Sequence, residues 1–223
     1  MKHFKFNVLI ILIAGLFTTS CSSWNKTQKG AVVGTAAGGA TGAVIGKVAG
    51  NTALGAIIGA TVGGVTGALI GRKMDKQAEE IKKTVPDAKV LRVGEGIVVE
   101  FGSNVMFDFD KANLSSDAKT TLEKLVTVMN TYPDTNIEIQ GHTDSKGSDS
   151  YNMNLSRQRA YIASDYLIDN NVSRQRVSAI GFGETLPKYL NDTDAGRTQN
   201  RRVEFLITAN EKMKAEAEKE AAK

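Results

Sequence analysis

Two arginines in the C-terminal half of this 223-residue chain stand where the hydropathy pattern predicts apolar side chains. Arg159 lies four residues after Leu155 and three before Ile162, on the apolar stripe of a helix predicted over residues 152–169. It is also expected near the N-terminus of that helix, where the macrodipole disfavours a cation. Arg201 shares strand parity with Val203, Phe205 and Ile207, which predicts that it faces inward. A buried guanidinium needs an anion, because an unpaired buried charge costs several kcal/mol. Two sources are open: an internal ion pair with Asp144, Asp149 or Asp110, or a pocket in which the anion belongs to a ligand.

The remaining chemistry-bearing residues argue against catalysis. There are two histidines, His3 and His142. His142 with Asp144 falls short of the roughly three protein ligands of a hydrolytic zinc site and is read as a structural residue of a strand–loop corner. Asp108 and Asp110 are carboxylates two residues apart on one segment, which does not place them on opposite sides of a glycosidic bond. The single cysteine, Cys21, cannot form an internal disulfide. The chain is therefore expected not to be an enzyme, and neither cofactor nor metal is expected.

The elements that position these residues follow from periodicity. Leu91 to Phe101, rich in Val and Ile around Gly94 and Gly96, predicts a hairpin, and 105–107 a short strand. Leu114, Ala118, Leu122, Leu125, Val126 and Met129 recur at helical spacing behind a Ser115/Ser116 cap. Ile137 and Ile139 predict a strand ending at Gly141. The 152–169 helix should bury Leu155, Ile162 and Tyr166, and strands are expected over 177–181 and 203–207. The order predicts an α+β domain over 87–208, a βαβαβ-type mixed sheet with helices on one face. The charged tail, 209–223, is read as a solvated helix or frayed end.

The N-terminal part is of another kind. Residues 1–7 carry Lys2 and Lys5, residues 8–17 are apolar, and Thr18, Thr19 and Ser20 precede Cys21. An apolar run of ten is too short to cross about 30 Å of hydrocarbon, so residues 1–20 read as a secretory signal peptide. The cysteine after it resembles a bacterial lipobox, with Thr18 where Leu is usual. The resemblance implies that Cys21 is acylated, carrying chains such as palmitate, and Ser22 resembles the sorting pattern of outer-membrane lipoproteins. After a spacer (21–29), glycine recurs every fourth residue from Gly30 to Gly50 and, past a slip at Asn51, from Gly55 to Gly71. Spacing four lines one helix face with a smooth groove, so 30–71 reads as a glycine-zipper helical hairpin, followed by a solvated, charged connector over 72–86. The net charge of +4 belongs to this half. Residues 84–208 hold 14 Lys and Arg against 17 Asp and Glu, which argues against a nucleic-acid partner.

Several blocks of the C-terminal half closely resemble the OmpA-like peptidoglycan-binding domain. They are Ile139-Gln140-Gly141-His142-Thr143-Asp144, then Gly147, Tyr151-Asn152, Leu155-Ser156 and Arg159-Ala160, Gly181-Phe182-Gly183-Glu184 with Pro187, and Asn191, Gly196-Arg197 and Asn200-Arg201-Arg202-Val203-Glu204. With the zipper in front, the whole chain resembles an OmpA-family outer-membrane lipoprotein. The resemblance implies a domain in the periplasm that binds the diaminopimelate of peptidoglycan stem peptides, with Asp144 on the ammonium and Arg159 on the carboxylate. Asp110, Asn152 and Arg201 also fall on the family's pocket, with Thr143 and Leu155 beside it. The expected function is a non-covalent tether between outer membrane and cell wall. The alternative is a zipper-driven membrane assembly or pore, in which the domain serves only as wall anchor; self-association through Gly30 to Gly71 is left open. A motor-stator reading would need an acidic residue in a single span, and 30–71 holds none.

Overall fold

The computed structural model describes residues 64–107 and 111–223. Cys21, the glycine repeat as far as Gly63, and Asp110 lie outside them. The elements run α1 (Gly64–Thr84), β1 (Lys89–Val93), β2 (Gly96–Gly102), α2 (Ser103–Met106), α3 (Ser116–Thr131), β3 (Thr135–His142), α4 (Asp149–Asp169), β4 (Val177–Gly181), α5 (Asp194–Asn200), β5 (Arg202–Ala209) and α6 (Glu211–Ala221). The five strands form one sheet in the order β1-β2-β5-β3-β4, with every pair antiparallel except β3 and β4. That parallel pair is joined through α4, as a parallel crossover requires.

The two faces of the sheet differ in chemistry. One carries Ile97, Val99 and Phe101 from β2, Ile137 and Ile139 from β3, and Val203, Phe205 and Ile207 from β5, all buried in the main core. Phe101 meets Phe205 edge-on, with ring centroids 5.6 Å apart. Residues of alternate parity, among them Val98, Glu100, Gln140, His142, Arg202, Glu204 and Leu206, face the other side. The helices supply most of the rest of the main core. Ser115 caps α3 by accepting the Ala118 N–H at 3.0 Å, and α3 buries Leu122, Leu125 and Met129.

Helix α4 lies close on the sheet because two glycines permit it. Gly141 and Gly181 are register partners on β3 and β4. A Cβ on Gly141 would fall 2.0 Å from the Ser156 carbonyl oxygen, and one on Gly181 2.4 Å from the Arg157 nitrogen. At that approach only small side chains fit between helix and sheet. The buried stripe is accordingly Asn152, Ser156, Ala160, Ala163 and Leu167, not Leu155, Ile162 and Tyr166, which are half-buried.

Several expectations are corrected here. Residues 105–107 form no strand: Ser103–Met106 is a helical turn, and Phe107 makes an isolated bridge to Leu114. The stretch expected as a solvated connector is the second half of α1, a 21-residue helix that buries Leu69, Ile70, Met74, Gln77, Ala78 and Ile81. Its charged residues mark the outer face of an amphipathic helix. Of the two alternatives for the tail, it forms the helix, α6, which is not wholly solvated, since it buries Met213 and Ala217, packs along α1, and pairs its Glu216 with Lys73 at 3.2 Å. Among the described residues, no helix is long and apolar enough to cross a membrane.

Candidate functional site

The central strands end together. Gly102, Arg202 and His142 are register partners across β2, β5 and β3, so Ser103, Arg201 and Thr143 follow as a row at one end of the sheet. Above this row lies a cavity of about 660 Å³, within the usual range for a ligand site. Thr143, Asp144, Asn152, Leu155, Arg159 and Arg201 all line it. Six of the seven sequence-predicted pocket residues thus come together; Asp110 falls outside the described residues.

Asp144 is 6% exposed and already has a cation, because it forms an ion pair with Arg201. Its Oδ1 also accepts the Lys146 backbone N–H at 3.0 Å. The loop that carries it is held from both sides. The Thr143 N–H donates to the Gly183 carbonyl at 2.9 Å, and Asn152 Nδ2 donates to the Asp144 carbonyl at 3.2 Å and to Glu184 Oε2 at 2.5 Å. Asn152 therefore works mainly as a pin between two loops. Gly147, with φ of 105°, supplies the left-handed turn that leads into α4.

Arg159 is the eleventh residue of α4, not a first-turn residue, so the helix dipole does not oppose it. It is 4% exposed. Its Nε donates to the Lys111 carbonyl at 3.0 Å, and its guanidinium sits 5.3 Å over the Phe107 ring. Arg201 differs from expectation. It precedes β5 and closes α5, with its side chain 40% exposed and its Nη2 donating to Thr198 Oγ1 at 2.8 Å. The arginine buried within the strand is its neighbour Arg202.

Arg202 anchors a second polar cluster on the opposite face of the sheet. Glu204 Oε1 accepts from Arg202 Nε at 2.5 Å and pairs with Lys188 Nζ at 2.9 Å, and Lys188 reaches Glu100 at 2.6 Å. Burial pushes the Glu204 carboxyl up, but Arg202 and Lys188 outweigh it and hold the group down to about 2. His142 stacks on Phe182 at 5.4 Å, and burial, with Arg202 beside it, lowers its imidazole to about 3. It is neutral at pH 7, so its 4.0 Å approach to Glu204 is not an ion pair. Asn200 bonds Lys188, Tyr189 and Asn191 with both ends of its amide. In the run from Asn200 to Glu204, then, only Arg201 reaches the cavity, and the other polar residues clip the 182–200 loop under the sheet.

Sequence reasoning did not single out Ser103, Phe107, Lys146 or Tyr151, which also line the cavity. Phe107 was covered by the strand expectation for 105–107, and Ser103 fell between that stretch and the expected hairpin with no signal of its own. Tyr151 lay inside a recognised motif and Lys146 beside one, but neither carried a periodicity signal. Among the described residues there is no group of His, Cys, Asp and Glu fit to hold a metal ion.

Residues 106–201 match the model of the OmpA family, and residues 1–75 that of the YMGG-like Gly-zipper. The chain is 33% identical over 136 residues to the peptidoglycan-associated lipoprotein of Rhizobium meliloti, an alignment covering 56% of this chain and 77% of that protein. The chain belongs to the OmpA family. Another family relative, outer membrane porin F of Pseudomonas fluorescens, is 42% identical over 112 residues, covering 50% of this chain and 34% of the porin. The chain spans 16% to 34% of the length of the first curated relatives it matches. A MotB-like protein from Desulfovibrio vulgaris shares the OmpA-like fold, with a TM-score of 0.58 at 23% identity over 63% of this chain and 94% of that one.

Proposed function

We propose that this OmpA-family chain is a non-catalytic tether, held in the outer membrane by an acylated Cys21 and gripping peptidoglycan from the periplasmic side. The ligand is the diaminopimelate of the stem peptide, whose free end is a zwitterion. Asp144 takes the ammonium and Arg159 the carboxylate, the latter through a guanidinium fork suited to bidentate pairing. The observation that carries the reading is that these opposite charges, both nearly buried, line one cavity.

The Asp144–Arg201 pair makes the binding step an exchange. Within the fold the carboxylate is already compensated by Arg201, so it is not a bare buried charge. The incoming ammonium shares or replaces the guanidinium, and Arg201, half-exposed, can swing toward solvent. An exchange of this kind gives modest affinity per site. Many anchored copies facing one polymer then hold by rebinding at high effective concentration.

Co-sedimentation of the full chain, in detergent, with purified diaminopimelate-containing sacculi tests this. Wild type pellets and is released by free diaminopimelate. Asp144→Ala and Arg159→Ala weaken pelleting at least tenfold while keeping a folded circular-dichroism spectrum. A wild type that stays in the supernatant overturns the reading, as do folded variants that pellet normally.

A further inference from the structure

Ser103 is 4% exposed and lines the cavity, yet its hydroxyl has no hydrogen-bond partner among the described residues. Buried hydroxyls are nearly always bonded, so an orphan on a residue that lines a cavity points to a partner that enters it. Thr143 Oγ1 is the other such orphan in the site. The two hydroxyls flank Arg201 in the row at the end of β2, β5 and β3, and the Ser103 N–H donates to the Arg201 carbonyl at 2.8 Å.

Position decides which end of a zwitterion Ser103 meets. Asp144 adjoins Thr143, so Arg201 stands between Ser103 and the ammonium site. The turn that begins at Ser103 carries Phe107, whose N–H donates to the Ser103 carbonyl at 2.8 Å and whose ring underlies Arg159. Ser103 therefore belongs to the Arg159 side of the cavity. We propose that the Ser103 hydroxyl contacts the ligand directly, donating a hydrogen bond to the same terminal carboxylate that Arg159 binds. This rests on the diaminopimelate reading above. A carboxylate has about four lone-pair sites, so a guanidinium fork leaves room for a hydroxyl donor.

The proposal separates affinity from stability. The hydroxyl is buried with no bond to any described residue, so deleting it costs the fold nothing. The test compares the full chain with Ser103→Ala in detergent, by thermal melting and by sedimentation against increasing sacculi of two kinds, one with diaminopimelate and one with lysine, which lacks the terminal carboxylate. The expected result is an unchanged or raised melting temperature and about tenfold weaker binding to diaminopimelate sacculi, with no difference between the two proteins on lysine sacculi. Equal binding of both proteins to diaminopimelate sacculi overturns the role of Ser103 and leaves the tether intact. A lowered melting temperature makes Ser103 structural and also overturns it. Equal weakening on both wall types overturns the carboxylate assignment. A wild type that ignores diaminopimelate sacculi overturns the tether and this contact together.

Discussion

Single residues divide into those that face the cavity and those that hold it in place, and His142 is the clearest of the second kind. It was legible as a corner residue, but not as a buried imidazole with neither ring nitrogen bonded to protein. Its pKa is about 3 in the fold against an ordinary 6.5. The unfolded chain therefore binds the proton first, and stability present above pH 6.5 falls as the pH drops toward 3, by about 1.4 kcal/mol per unit. Glu204, held at about 2 against 4.5, adds a second loss that begins below pH 4.5. His142→Phe keeps a ring to stack on Phe182 and removes the first loss. Urea midpoints at pH 7.5, 5.5 and 4.5 should decline in wild type and stay level in the variant. A decline that persists in the variant would assign the titration to another group.

At the scale of elements, the approach of α4 to the sheet fixes where Arg159 stands relative to Asp144. Gly141→Ala puts a methyl against the Ser156 backbone, which cannot yield without moving the helix. The expected cost is about 3 kcal/mol or more, read by urea denaturation, together with weaker sacculus binding as Arg159 shifts. Strands β1, β2, β3, β4 and β5 and helix α3 were all legible, because each pairs one apolar face with a clear turn or cap. Helix α4 was legible as a helix, yet its buried face was not. Helical periodicity weights large apolar residues, and this interface is built from alanines, Ser156 and Asn152 against two glycines. The arginine assigned to the core by strand parity was off by one, since β5 begins at Arg202 with both faces covered. When Arg, Glu and Val are all buried along one strand, alternation no longer tells inside from outside.

For the molecule as a whole, the lesson lies in α1. Composition drew a boundary at Gly71, because the glycine period ends there and charges begin. The helix runs through that boundary without a break, and Ile70, inside the expected zipper, is fully buried in the globular core. Ile70→Ala should therefore destabilise the OmpA-family domain by about 2–5 kcal/mol, measured by urea denaturation of the full chain. If Ile70 served only the zipper, the denaturation midpoint would not move. The glycine repeat ahead of α1 and the packed domain behind it thus meet in one continuous piece of helix.

In the proposed tether, a pull from the N-terminal side reaches the folded domain through its first helix. It enters α1 at Gly64 and runs along about 30 Å of helix whose inner face is seated against α3, α6 and the sheet. Loaded in shear, those contacts resist together, whereas a strand pulled from an edge would yield one bond at a time.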